Sequence, residues 1–154
     1  MVFYALLLTW LAILAFAVLT LVQPVWLREL SKKGRKVEGK EFTDKGNALM
    51  YEANATNSPA LFGRAADMYE KALLRDTGSA EAMNNLATAY LNLGRFSESL
   101  ALYNKLLNLD TIHRAVVYSN LGDYYERRQD PVNALACFEK AARNDVYNAY
   151  PWRK

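Results

Sequence analysis

The sequence predicts an all-α protein in which one N-terminal transmembrane helix precedes a short solenoid of about three helix-turn-helix repeats. Residues 2–22 contain no charged side chain, and similar residues return about every 34 positions in the second region. Among all 154 residues, 52% are hydrophobic and 23% are charged, which argues against disorder. We therefore expect residues 1–25 to be an anchor, residues 26–42 a basic juxtamembrane linker and residues 43–154 the repeat domain.

The apolar segment at residues 2–22 has the length of a membrane span. As an α-helix its 21 residues rise about 31 Å, close to the roughly 30 Å hydrocarbon core of a bilayer. A cleaved signal peptide is the alternative, because Ala15 and Ala17 form a small-x-small pattern. Against it, no basic residue precedes the run and apolar residues continue to Val22. We expect an uncleaved anchor.

Basic side chains follow the apolar segment and predict its orientation. Positive charge beside one end of a span keeps that end in the cytoplasm. The expected location is the inner cell membrane, single-pass, with the N-terminus outside and the repeat domain cytoplasmic. A compatible interpretation places the same side chains at anionic lipid headgroups; they are Arg28, Lys32, Lys33, Arg35 and Lys36. Nucleic acid is a third interpretation, but a net charge of +3 is a weak footprint for it.

The second region repeats with a period of about 34 residues. The repeats are predicted at about 46–79, 80–113 and 115–148, and each contains an aromatic ring four places after a small residue. The rings are Tyr69, Tyr103 and Phe138, and the small residues are Ala65, Ser99 and Ala134. Pro59 and Pro131 are predicted to begin helices, and Gly94 is predicted to end one.

Two stretches share the pattern large-x2-Leu-small-x2-Tyr, namely Met83 to Tyr90 and Tyr118 to Tyr125. This pattern resembles the tetratricopeptide repeat family over roughly residues 43–148. The first repeat departs from it, because Glu52 and Thr56 stand where Leu86 and Tyr90 stand in the second. The resemblance implies antiparallel helix pairs that stack side by side, with small residues where two helices approach closely.

The resemblance also implies a groove, lined by the first helix of each pair, that binds peptides or partner proteins. The matching positions are Glu81, Asn84, Asn85, Thr88 and Asn92, followed by Ser119, Asn120, Asp123, Glu126 and Arg127. Asn85 and Asn120 stand where such repeats often place an asparagine that binds a peptide backbone. The alternative is that these residues are solvated positions on an exposed helix face.

The usual catalytic and metal-binding residues are scarce. One cysteine and one histidine exclude a disulfide framework and a metal site of Cys and His ligands within one chain. Cys137 is expected to be a buried thiol rather than a nucleophile. We therefore expect no enzyme activity, metal, cofactor or small-molecule substrate.

The expected function is that of a membrane-anchored adaptor or scaffold. It would serve as an accessory or assembly subunit of a larger membrane protein complex and bind a partner protein through the groove. The last helix offers a second surface around Leu135 and Phe138, which would meet a partner, a second copy or the aromatic C-terminal residues. Two alternatives stay open, an envelope-side chaperone of opposite topology and a peptide-binding protein similar to import receptors.

Overall fold

A computed structural model describes Tyr4 and residues 9–14, 16–17, 25–109 and 114–149, and for residues 145–149 it describes the backbone alone. Regular structure in these ranges is α-helical. Tyr4 and residues 9–14 and 16–17 are helical, and six longer helices follow. These are α1 (Val25–Thr56), α2 (Pro59–Arg75), α3 (Ala80–Asn92), α4 (Phe96–Asn108), α5 (Arg114–Arg127) and α6 (Pro131–Ala149).

The chain divides into two units, Met1–Val37 and Glu38–Lys154. In the first unit, the described part of α1 is exposed along its length and carries all five of the basic residues that were predicted to contact lipid headgroups. In the second unit, successive helices pack as antiparallel pairs, in which α3 contacts α2 and α4, and α5 contacts α4 and α6. The core and the groove belong to the second unit.

The predicted transmembrane helix needs correction. Among the described residues, no helix is both long enough and apolar enough to cross a bilayer. The longest, α1, has 32 residues but carries charged side chains on every turn from Arg28 to Lys45. The remaining positions of residues 2–22 lie outside the described residues. The fold class with a membrane anchor and the single-pass location at the inner membrane were therefore wrong.

The helix boundaries follow from local chemistry. Pro59 begins α2, as predicted, because a proline in the first turn loses no intrahelical hydrogen bond. The Ser79 side chain accepts a hydrogen bond from the Ala82 backbone N–H at 3.3 Å and so caps α3. Gly94 adopts a φ of +73° in the turn after α3, which confirms its predicted role as a helix stop.

Among the described residues, two apolar clusters form the core. One lies among α3, α4, α5 and α6 and includes Met83, Tyr103 and Leu121. The other joins α2 to α3 around Tyr69 and Leu86. Burying each such side chain contributes about 1.5–3 kcal/mol, so these clusters hold the helix pairs together.

Small residues let the paired helices approach each other, as predicted. A Cβ atom built on Gly122 would lie 2.3 Å from a ring carbon of Phe138. In the pair α3–α4, the Ser99 hydroxyl donates to the Ala87 carbonyl oxygen at 2.8 Å, and both residues are fully buried. The rings and hydroxyls thus fill the space that larger side chains would need.

Candidate protein-binding groove

The candidate site lies between α3 and α5, the first helices of two successive pairs. A cavity of about 380 Å³ lies near the N-terminal ends of both helices, and we call it the first cavity. Its apolar part consists of Ala80, Leu106, Val116 and Val117, and its polar part of Glu81, Asn84 and Asn85. Val116 is 50% exposed, so the apolar part is open to a ligand.

A second cavity of about 270 Å³ lies farther along the same two helices. Its lining is mostly polar and charged, and we call it the second cavity. It is lined by Thr88, Leu91, Asn92, Tyr103, Asn120, Asp123, Glu126 and Arg127. Because the earlier residues of α3 and α5 line the first cavity and the later ones line the second, the two helices run in the same direction along the groove.

A chain of side-chain amides crosses three helices at the groove. Asn120 on α5 donates to the Oδ1 atom of Asn84 on α3 at 2.8 Å, and Asn84 donates to Asn85 at 3.3 Å. Asn85 then donates to Asn47 on α1 at 2.8 Å, and Asn47 donates to the Glu81 carboxylate at 3.2 Å. We call these five residues the amide chain. Each of the four amides donates one N–H to the next residue of the chain, so the chain has a direction.

The amide chain is fixed to the core at Asn47. Its Oδ1 atom also accepts a hydrogen bond from the hydroxyl of Tyr69 at 2.8 Å, so both lone pairs are used. Burial raises the pKa of Tyr69 above its ordinary value, and the nearby Glu81 carboxylate raises it further. The tyrosine therefore stays protonated and keeps its donor role.

Further polar contacts order the second cavity. The Arg127 guanidinium donates to the Asn92 side-chain oxygen at 2.8 Å. The Thr88 and Tyr103 hydroxyl oxygens lie 3.0 Å apart and share a hydrogen bond. Burial raises the pKa of Tyr103, and the Asp123 carboxylate raises it further. Arg127 is thus already engaged, whereas Asp123 and Glu126 are exposed at the cavity mouth.

The structure brings nearly all of the sequence-predicted groove residues together. Three of the ten line the first cavity and six line the second. Ser119 lies half-buried on α5, outside the lining of both cavities. Asn85 and Asn120, predicted to bind a peptide backbone, bond to other side chains of the amide chain.

Sequence reasoning missed Asn47, Val116 and Val117. The signal for Asn47 was its spacing of 34 residues before Glu81, but the degenerate first repeat concealed it. The sequence gives no separate signal for Val117 in the cavity, because the same side chain is also buried in the core, as an ordinary apolar helix position would be.

The basic residues after the apolar segment lie on the exposed first part of α1. Lys32 pairs with Glu29 at 2.8 Å, and this contact lowers the pKa of the Glu29 carboxyl. The Arg35 guanidinium donates to the Ser31 hydroxyl oxygen at 3.2 Å. The contact of these residues with lipid headgroups stays a prediction.

Metal-binding and catalytic chemistry has little support in the described part of the chain. Within residues 25–109 and 114–149 and the short stretches before them, no group of three or more His, Cys, Asp or Glu side chains could hold a metal ion. Cys137 is buried, as predicted, and burial raises the pKa of its thiol. A neutral buried thiol is a poor nucleophile.

Comparison with known proteins identifies the repeat. Residues 61–116 match the family model of the tetratricopeptide repeat. The matched segment runs from α2 into α5 and contains most of the first cavity. A comparison with curated proteins found no match to this chain. Tetratricopeptide repeats are generally protein-interaction modules without catalytic activity, and this one indicates an adaptor that binds other proteins.

Proposed function

We propose that this chain is an adaptor that holds a segment of a partner protein in the groove between α3 and α5. In this role it serves as an accessory or assembly subunit of a larger protein complex. The observation that carries the proposal is the pair of adjacent cavities, the first of which lies mostly within the segment that matches the tetratricopeptide repeat. An open groove with an apolar part and a few ordered polar groups is typical of a binding site.

The amide chain supports the proposal because it fixes the groove before a ligand arrives. Each of its side chains is held by a neighbour on another helix, so little conformational freedom is lost on binding. Amide groups also retain unused donors and acceptors toward solvent. In this proposal Asn85 and Asn120 use them to bond the backbone of the partner segment.

A second contact surface on α6 extends the proposal. Val132 and Leu135 are 77% and 62% exposed, and a cavity of about 400 Å³ lies beside Leu135 and Phe138. This surface adds a site at which the complex could hold the adaptor in place.

Site-specific photo-cross-linking tests the groove. A photoreactive residue replaces either Val116, at the first cavity, or Leu74, which is 75% exposed on α2 outside the groove. We expect cross-linking to a partner from position 116 and not from position 74. The recovered partner, purified, should then bind the unmodified chain and lose most of its affinity for the Val116→Arg variant. Equal cross-linking at both positions, or unchanged affinity for the variant, would refute the proposed function.

A further inference from the structure

The two cavities differ in chemistry, and that difference limits which partner segment can fit. In the part of the chain that the structure describes, the first cavity exposes aliphatic side chains, among them Val116, beside a single carboxylate, Glu81. The second cavity places two carboxylates, Asp123 and Glu126, beside one guanidinium. The hydrogen bond from Asn120 to Asn84 joins a lining residue of each cavity, so one ligand can contact both.

The charge at the second cavity favours a cation. Arg127 is the one basic residue among the described residues of its lining, and its guanidinium already donates to Asn92 at 2.8 Å. Asp123 and Glu126 are exposed, and the carboxylate of Asp123 acts on the Tyr103 hydroxyl inside the cavity. With Glu81 included, the described residues of the groove carry three carboxylates against one guanidinium. An acidic ligand would meet repulsion there.

The separation of the cavities sets a spacing in the ligand. On both α3 and α5, the lining residues advance by about seven or eight positions from the first cavity to the second, which is about 11 Å at 1.5 Å per residue. An extended peptide covers that distance in about three or four residues. Side chains four positions apart on an extended strand point to the same side.

We infer that the groove recognises an extended segment of a partner protein in which an aliphatic residue and a lysine or arginine lie four positions apart. The aliphatic side chain enters the first cavity, and the basic side chain binds Asp123 and Glu126 at the second. This assignment rests on the proposed function and adds to it the chemistry of the partner. The acidic residues act as specificity determinants, while the apolar cavity supplies contact area.

Binding of labelled short peptides to the full chain, followed by fluorescence anisotropy, tests the assignment. The peptides share a neutral background and carry leucine with lysine, leucine with glutamine, leucine with glutamate, or serine with lysine, each at a separation of four positions and in both orders. We expect the leucine–lysine peptide to bind best and the leucine–glutamate peptide to bind worst. A second series, with the separation varied, should favour four positions over three or five, because an odd separation places the two side chains on opposite sides of the peptide.

Variants of the protein assign the contacts. The double variant Asp123→Asn, Glu126→Gln should weaken the leucine–lysine peptide about three- to tenfold and remove its salt dependence. The same variant should leave the leucine–glutamine peptide unchanged. Val116→Ser should weaken every leucine-containing peptide by a similar factor. Asp67→Asn, which removes an exposed carboxylate from α2, is the matched control and should bind like the wild type.

Several results would overturn the inference. Equal binding of the lysine and glutamate peptides, unchanged affinity of the double variant, or no peptide binding would each do so. A concentration-dependent dimer that the double variant abolishes would assign the groove to a second copy of this chain instead. These outcomes differ from failure of the proposed function, since a partner cross-linked at position 116 and lost in Val116→Arg would still be bound through the groove.

Discussion

At the scale of single residues, two glycines lie against aromatic rings that differ in the free space around them. A Cβ atom on Gly46 would lie 2.5 Å from a ring carbon of Tyr69, which is fully buried and held by Asn47. A Cβ atom on Gly122 would meet Phe138, whose ring borders the cavity of about 400 Å³ on α6. The first ring has no space to move, whereas the second does.

Replacing these glycines should therefore have unequal effects. We expect Gly46→Ala to lower the free energy of unfolding by about 1–3 kcal/mol through overpacking. Gly122→Ala should cost less, because Phe138 can shift toward the cavity. Gly63→Ala is the matched control; no atom outside its own helix lies within 4 Å of the added methyl, and helix propensity should raise stability by about 0.5–1 kcal/mol. Urea unfolding followed by circular dichroism measures all three, and equal losses for Gly46 and Gly122 would contradict the argument.

Tyr90 gives the stability a dependence on alkaline pH. Burial and the hydrogen bond from its hydroxyl to Glu70, at 2.6 Å, raise the pKa of Tyr90 to about 12 from an ordinary value of 10. The unfolded chain loses this proton at lower pH than the folded chain does. The free energy of unfolding therefore falls as pH rises from 10 through about 12.

The Tyr90→Phe variant should show a smaller fall over the same pH range, measured by urea unfolding. Tyr51→Phe is the control, because Tyr51 is 81% exposed on α1. We expect the control to keep the wild-type dependence. A Tyr90→Phe variant with the same slope as the wild type would show that another group is responsible.

At the scale of helices, the amide chain makes neighbouring pairs depend on each other. Asn84→Ala removes an acceptor from Asn120 and a donor from Asn85, and leaves both half-buried amides without these partners. We expect this variant to lose about 1–2 kcal/mol of unfolding free energy. Asn104→Ala on the exposed side of α4 brings the same gain in helix propensity and should stay within about 0.5 kcal/mol of the wild type. If both variants unfold alike, the amide chain adds nothing to stability.

The helices were largely predictable from the sequence. The 34-residue period shows where the helix pairs recur, and proline and glycine determine the ends of helices through local backbone conformation. Pro59 and Gly94 mark ends that the structure places where they were predicted. The role of Asn47 was not predictable, since it depends on contacts with Asn85 and Tyr69, which lie 38 and 22 positions away. The prediction of a transmembrane helix at residues 2–22 was wrong. It rested on hydropathy, and among the described residues no helix is both long enough and apolar enough to span a bilayer.

At the scale of the whole molecule, charge is distributed unevenly between the two units. The first unit carries five basic residues and one acidic residue, whereas residues 38–154 carry fourteen basic and fifteen acidic residues. Both apolar clusters and the amide chain lie in the second unit. The contacts that stabilise the repeat therefore do not need the first unit.

A chain shortened to residues 38–154 should consequently fold. We expect its helical circular dichroism and its cooperative urea transition to match those of the full chain after correction for the missing helical residues. A further truncation to residues 57–154 removes the buried Ala53 and the Asn47 partner of Tyr69. It should unfold at lower urea, and equal stability of the two fragments would show that α1 does not belong to the folded unit.

The uniform sense of donation along the amide chain limits how this protein could be rebuilt. Asn120 on the later helix donates a hydrogen bond to Asn84 on the earlier helix, and Asn85 donates one to Asn47. If a designer changed the order of the helix pairs, or duplicated one, both the donor and the acceptor side chain of each of these hydrogen bonds would have to be kept. Otherwise two donors or two acceptors would face each other at the new junction. The hydrogen bonds that align neighbouring helix pairs would then be lost.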